Sequence, residues 1–176
     1  MVAAKTYGES LHSLAKEQGK AKEILSELRY IAALFKEHPD YVKILDSPQI
    51  ARDELMEILN EDFFGKVNRY TLNFLKLLCE KHMVHCIDEC FREYEKQYNK
   101  DNNIKIVRVT TAKPVSEALI EKLAARLEEK TGCKIVLKRK IDESCIGGII
   151  LETDGMKIDS SVKTELESMK KALVNN

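Results

Sequence analysis

Tryptophan is absent from this 176-residue chain, proline occurs only three times, and the 29 Lys and Arg residues leave no surplus over 29 Asp and Glu. Each scarcity excludes something. A neutral chain has no overall excess of cations with which to hold a phosphate backbone, which argues against nucleic acid. No apolar run exceeds six residues, whereas a membrane-spanning helix needs about 20. The first residues, Met1 to Lys20, include Glu9 and Glu17 and lack an apolar core of signal-peptide length, so they are not read as a leader. Five cysteines occur without a Cys-x-x-Cys pair or a framework spacing; they read as reduced thiols in a cytoplasm. Neither a low-complexity tract nor a repeat of solenoid period is present. What remains is 44% hydrophobic and 33% charged, a mixture that buries a core and stays soluble.

The pattern of that mixture changes near residue 103. Before it, apolar residues recur at helical spacing. Tyr7, Leu11, Leu14 and Ala15 share one face, as do Ile24, Leu25, Leu28, Ile31 and Ala32. Gly19 separates these two helices and His38-Pro39 ends the second. Tyr41 to Leu45 makes a short third piece. Ser47-Pro48 reads as an N-cap and first position opening a fourth helix, with Ile50, Leu55, Ile58 and Leu59 inward and Gly65 after it. A fifth carries Tyr70, Phe74, Leu75 and Leu78; a sixth carries Ile87, Phe91, Tyr94 and Tyr98.

Asn99-Lys100-Asp101-Asn102-Asn103 is polar and reads as a linker. Beyond it, Ile104–Thr110 is β-branched and largely alternating, Pro114 to Lys130 is helical, Lys134–Lys140 alternates again, and two strands flank Asp154-Gly155, a dipeptide suited to a tight hairpin. Val162, Leu166, Met169 and Leu173 mark a last helix. The predicted fold is an all-α six-helix bundle over residues 1–103, followed by a small α/β domain (β-α-β-β-β-α) over residues 104–176. The charge divides with it: 15 basic against 18 acidic side chains in the first part, 14 against 11 in the second. Two parts of opposite sign suit a protein facing two partners.

Few residues suggest chemistry. Cys79, His82, Cys86 and Cys90, with His85 beside them, are zinc-ligand types that would form a stripe on a continuous helix. Eleven residues of helix span about 16 Å, far too long for one ion. Small thiols filling a helix–helix groove are the expectation, and no metal or cofactor is expected. Gly147 and Gly148 enter a strand rather than precede a helix, so they predict a bulge or a close backbone approach and not a phosphate loop. His12 and His38 read as solvated, and Lys138-Arg139-Lys140 as a charged edge that discourages strand pairing. No catalytic set is apparent.

One ordered series of motifs resembles a known family. Asp142, a spacer, Ile146-Gly147-Gly148, Gly155, Ile158-Asp159, Ser161-Val162 and Leu166 resemble the C-terminal signature of the delta subunit of F-type ATP synthases, the bacterial counterpart of the mitochondrial oligomycin-sensitivity-conferring protein. Tyr7, Leu11 and Ala15, Leu45-Asp46-Ser47-Pro48-Gln49-Ile50, and Asn73-Phe74-Leu75-Lys76-Leu77-Leu78 extend the resemblance over nearly the whole chain. Departures are Gly8 in place of alanine, which costs a helix up to about 1 kcal/mol, Lys81 and His82 where an arginine is common, and Ser160 in place of glycine. The resemblance implies a non-catalytic stator adaptor of a proton- or sodium-translocating synthase, peripheral on the cytoplasmic side of the cell membrane. N-terminal segments of alpha subunits would lie in a groove of helices one and five, at Tyr7, Leu11, Leu14, Phe74, Leu75 and Leu78. The b subunits of the peripheral stalk would meet the C-terminal signature at Asp142, Ile146, Gly147, Gly148, Asp159, Ser161 and Val162. The alternatives are an unrelated two-part adaptor and a thiol- or zinc-dependent enzyme.

Overall fold

The computed structural model describes residues 2–153, 155–164 and 166. The chain divides into two compact units, residues 1–99 and 100–176. The division falls within four residues of the predicted one. Asn99 to Asp101 are the last residues of a helix, however, not an extended linker.

The first unit is helical: α1 (Val2–Glu17), α2 (Ala21–Glu37), α3 (Pro39–Leu45), α4 (Arg52–Phe63), α5 (Arg69–Glu80) and α6 (Ile87–Asp101), with a single 3-10 turn at Val84–Cys86. Helix α2 shows why the periodicity predicts it. Ile24, Leu25, Leu28, Ile31, Ala32 and Phe35 form one buried stripe, the apolar face of a surface helix. It packs against α1, α3 and α5. The core joins that stripe to Leu11, Leu45, Leu55, Leu59, Phe63, Phe74, Leu75, Leu78 and Tyr94. Glu27 ties α2 to the start of α5: its carboxylate accepts the Asn68 amide at 2.8 Å and the hydroxyl of fully buried Thr71. A negative charge there also suits the positive end of the α5 dipole.

Two details correct the sequence reading. Helix α4 begins at Arg52, not at Pro48; Ser47 Oγ instead accepts the Gln49 amide at 3.3 Å. This local turn competes with helix nucleation, as serine side chains commonly do. His12 is buried, 5% exposed, and stands edge-on to Tyr94 with ring centroids 5.2 Å apart. It shares the inward stripe of Ala4, Gly8, Leu11 and Ala15. His38 is exposed, as its sequence context predicts. Helices α5 and α6 are separate, as the sequence predicts. Lys81 and His82 end α5 with the Met83 amide bonded to the Leu78 carbonyl and the His82 amide to Cys79, and His82 lies in the left-handed region at φ 51°.

Gly8 gives α1 its depth. A Cβ built on Gly8 would stand 2.5 Å from the Cys90 carbonyl oxygen and 3.2 Å from the Glu93 Cβ. Helices α1 and α6 therefore approach through a missing side chain, and the glycine that weakens α1 alone permits the contact that holds it.

The second unit is a four-stranded mixed sheet in the order β2-β1-β3-β4. Strands β1 (Ile104–Thr111) and β2 (Lys134–Ile141) are parallel and joined through α7 (Glu117–Thr131); β3 (Gly148–Thr153) is antiparallel to β1, and β4 (Met156–Ser161) to β3. Parallel neighbours need such a crossover. Helix α7 starts three residues after Pro114 and packs on β2. Val107, Val109 and Ile135 form the buried core, with Leu123, Leu127, Leu137, Ile149 and Leu151 around them. Thr153 pairs with Met156, the register of a two-residue hairpin loop, and Gly155 has φ 84°. Residues 162–164 and 166 are helical; Met169 and Leu173 of the predicted last helix lie outside the described residues.

Candidate partner-binding surfaces

The two surfaces suggested by the sequence are each built within one unit. On the first, the core claims most of the candidate residues. Leu11 (5% exposed), Phe74, Leu75 and Leu78 are buried in the bundle. Tyr7 is half-buried against that core, and Leu14 is 39% exposed. The outward stripe of α1 is Ala3, Tyr7, Ser10 and Leu14, spaced i, i+4, i+7, i+11. On α5 the outward stripe is Tyr70, Asn73 and Leu77, and Leu77 was missed from sequence although it is 36% exposed. Its signal was available: Leu77 lies about 110° around the helix from the centre of the Phe74-Leu75-Leu78 stripe. Both stripes have a large apolar group amid polar neighbours, the composition that receives an amphipathic helix.

A cleft of this unit lies elsewhere, between α2, α3 and the end of α4. It encloses about 720 Å³ and is lined by Tyr30, Leu34, Tyr41, Phe63 and Val67, among others. The Tyr41 hydroxyl donates to Asp62, and burial, reinforced by that carboxylate, raises its pKa.

The cysteine and histidine segment holds no ligand cluster. Among the described residues no group of three or more His, Cys, Asp or Glu side chains could hold a metal ion. The left-handed residue His82 and the 3-10 turn break the stripe that a continuous helix would have made. Cys79 and Cys90 are buried, and burial pushes both thiols up to about 12; such thiols are protonated and unreactive. Asp46 is the organising residue of this region. Its carboxylate accepts the Val84 amide at 2.6 Å and the His85 amide at 3.0 Å, and it lies 2.6 Å from His85 Nδ1. It thereby caps the turn that leads into α6.

On the second unit, the signature residues converge on one corner. Asp142 accepts the Ser144 amide at 3.1 Å and its hydroxyl at 2.6 Å; these bonds, with Lys140 and Lys163 nearby, hold its carboxyl below the usual range. The following 3-10 turn, Glu143–Cys145, ends at Ile146 with φ 63° and ψ −43°. The Gly147 amide donates to the Cys145 carbonyl at 2.7 Å, closing a γ-turn of the strained hand around Ile146. A β-branched residue at positive φ is a genuine outlier. Gly148 pairs with Ser161, and a Cβ on it would stand 2.2 Å from the Ser160 carbonyl oxygen. The close backbone approach predicted for the glycines is therefore what Gly148 makes. The Val162 amide donates to the Gly147 carbonyl at 3.1 Å. Buried Ser161 accepts the Thr164 amide on its hydroxyl at 3.3 Å, and the Asp159 carboxylate accepts the Ser161 amide at 3.0 Å. What the corner leaves outside is apolar: Ile146 is 63%, Val162 37% and Leu166 52% exposed.

These features span the whole chain, and so does its likeness to known proteins. The family profile described as ATP synthase delta (OSCP) subunit matches residues 3–173. The chain belongs to the ATP synthase delta (OSCP) subunit family. Among relatives, the ATP synthase subunit delta of Cytophaga hutchinsonii is 34% identical over 93% of this chain and 90% of its own length. That of Clostridium botulinum strain Loch Maree is 33% identical over 96% and 94%. A chain of the Toxoplasma gondii mitochondrial ATP synthase hexamer superposes with a TM-score of 0.72 over 97% of both chains at 20% identity, which shows the shared fold. The delta/OSCP subunit is a non-catalytic, structural part of the synthase. No helix among the described residues is long and apolar enough to cross a membrane.

Proposed function

We propose that this chain is the stator adaptor of an F-type ATP synthase, joining the alpha subunits of the catalytic head to the b-subunit peripheral stalk and resisting rotor torque. It works at the cytoplasmic side of the cell membrane in a proton- or sodium-translocating complex. The observation that carries the proposal is that one family match covers both units, residues 3–173, while each unit keeps an apolar surface outside its core.

On the helical unit, an alpha-subunit N-terminal helix would lie on the stripes of Tyr7 with Leu14 and of Tyr70 with Leu77. Leu11, Phe74, Leu75 and Leu78 form the floor behind them from within the core. On the other unit, the stalk would meet Ile146, Val162 and Leu166, with Asp142, Gly147, Gly148, Asp159 and Ser161 holding that corner in shape. A latch under torque must release slowly, and buried apolar contacts govern release more than rim charges do.

Titration calorimetry of the full chain with a peptide matching the alpha subunit's N-terminus should show saturable 1:1 binding. Leu14→Asp or Leu77→Asp should weaken it at least about tenfold, since truncating one central anchor typically costs over 1 kcal/mol. Both positions are surface-exposed, so circular dichroism should remain unchanged. Absence of binding by the wild-type chain, or undiminished binding by both variants, would overturn this assignment of the surface.

A further inference from the structure

The hairpin of β3 and β4 leaves an open backbone edge. Strand β4 is outermost in the sheet, and along an antiparallel strand successive residues alternately face the neighbour and the open side. Ser161 sets the phase, because its amide donates to the Asp159 side chain instead of to β3. Asp159 and Lys157, two and four residues before it, turn their backbone N–H and C=O to the same open side. Among the described residues, no turn, loop or cap hydrogen bond takes up those groups.

We propose that β4 pairs with β4 of a second copy of this chain, antiparallel, across a two-fold axis through Ile158. In that register Lys157 stands opposite Asp159 of the partner subunit, and Asp159 opposite Lys157 of the partner subunit. Those are the residues whose backbone groups face outward, so the charge register and the hydrogen-bonding phase agree. Ile158, 52% exposed, meets Ile158 of the partner subunit at the axis, where a pair without mutual backbone bonds brings side chains closest. The charge alternation is already attractive within one copy: Lys157 Nζ lies 3.7 Å from Glu152 and 3.8 Å from Asp159. The same surface patch serves both copies, so the contact closes as a dimer. The opposite edge is unsuited to this. Strand β2 carries Lys138, Arg139 and Lys140 in series, and self-pairing there would set like charges against each other.

A contact made by one short strand falls below the roughly 1,200–2,000 Å² of a stable interface. The association is therefore weak and belongs to the chain outside the larger complex. Sedimentation velocity of the full chain at rising concentration should show a monomer–dimer equilibrium, and amide exchange should slow at Lys157 and Asp159 as dimer forms. Lys157→Glu makes the edge acidic and Asp159→Lys makes it basic. Each variant should self-associate at least about tenfold more weakly than wild type, through like charges directly opposite. An equimolar mixture of the two should pair as tightly as wild type, because every opposition is again between unlike charges. Circular dichroism checks that both variants fold; should Asp159→Lys not fold, the exchange profile of the wild-type chain decides. A wild-type chain monomeric at millimolar concentration overturns the proposal. So do undiminished self-association of the variants, a mixture that stays monomeric, or concentration-dependent protection confined to other residues.

Discussion

Gly148→Ala is expected to destabilise the α/β unit by about 3 kcal/mol or more, combining a left-handed backbone forced on alanine with an overlap in a packed site. The φ of +80° penalises any side chain, and the added Cβ would meet the Ser160 carbonyl oxygen at 2.2 Å. That oxygen is backbone in a paired strand, so it cannot swing aside as a flexible side chain would. The unit has little to offset such a loss, since its buried core cluster is Val107, Val109 and Ile135. Urea unfolding of the full chain, followed by amide exchange in each unit, should show β3 and β4 losing protection while α2 and α5 keep theirs. Gly147→Ala is the control. Its Cβ would meet only the Val162 Cγ2 at 3.2 Å, a methyl group that can shift, so the effect should be much smaller.

Gly8→Ala gives a second large effect, and its sign separates two explanations. Helix propensity alone favours alanine over glycine by up to about 1 kcal/mol. The packing opposes this, because the new Cβ would stand 2.5 Å from the Cys90 carbonyl oxygen. Inserting a methyl group into a well-packed contact typically costs 1–3 kcal/mol, so a net destabilisation of roughly 1–2 kcal/mol is expected. Chemical denaturation monitored by helical ellipticity measures it. A more stable variant would mean that α1 and α6 are farther apart than described.

Helix faces were legible because burial and periodicity coincide there. The stripe of α2 could be placed from spacing alone. Where the fold departs from expectation, a local hydrogen bond or a small side chain decided the outcome. Ser47 bonds to Gln49 and delays α4; His12 follows Gly8 inward on a stripe of small residues. Polarity could not show that Asn99 to Asp101 continue a helix, because polar residues are equally at home on an exposed last turn.

The candidate surfaces were legible in outline but not residue by residue. A large apolar side chain on a helix reads alike whether it packs inward or waits for a partner. Periodicity therefore grouped Leu11, Phe74, Leu75 and Leu78 with Leu14, although only Leu14 keeps substantial exposure, and it passed over Leu77. On the second unit the motif residues around Gly147 and Gly148 lie together at one corner. Spacing did not reveal that Asp142, Asp159 and Ser161 serve as caps, or that Ile146 is held outward by a strained turn. Those roles depend on which amide lies beside which oxygen.

The proposed bridge between two partners is tested by reconstitution. Membrane vesicles carrying the stalk and ion-translocating part of the synthase are mixed with a catalytic head assembled without this subunit, and the head is sedimented with the vesicles. The head is predicted to cosediment stably and to couple ATP hydrolysis to ion pumping only when this chain is added. The Leu14→Asp and Ile146→Asp variants, one on each surface, should each fail to restore coupling. Full coupling without the chain, or equal rescue by both variants, would contradict the claim.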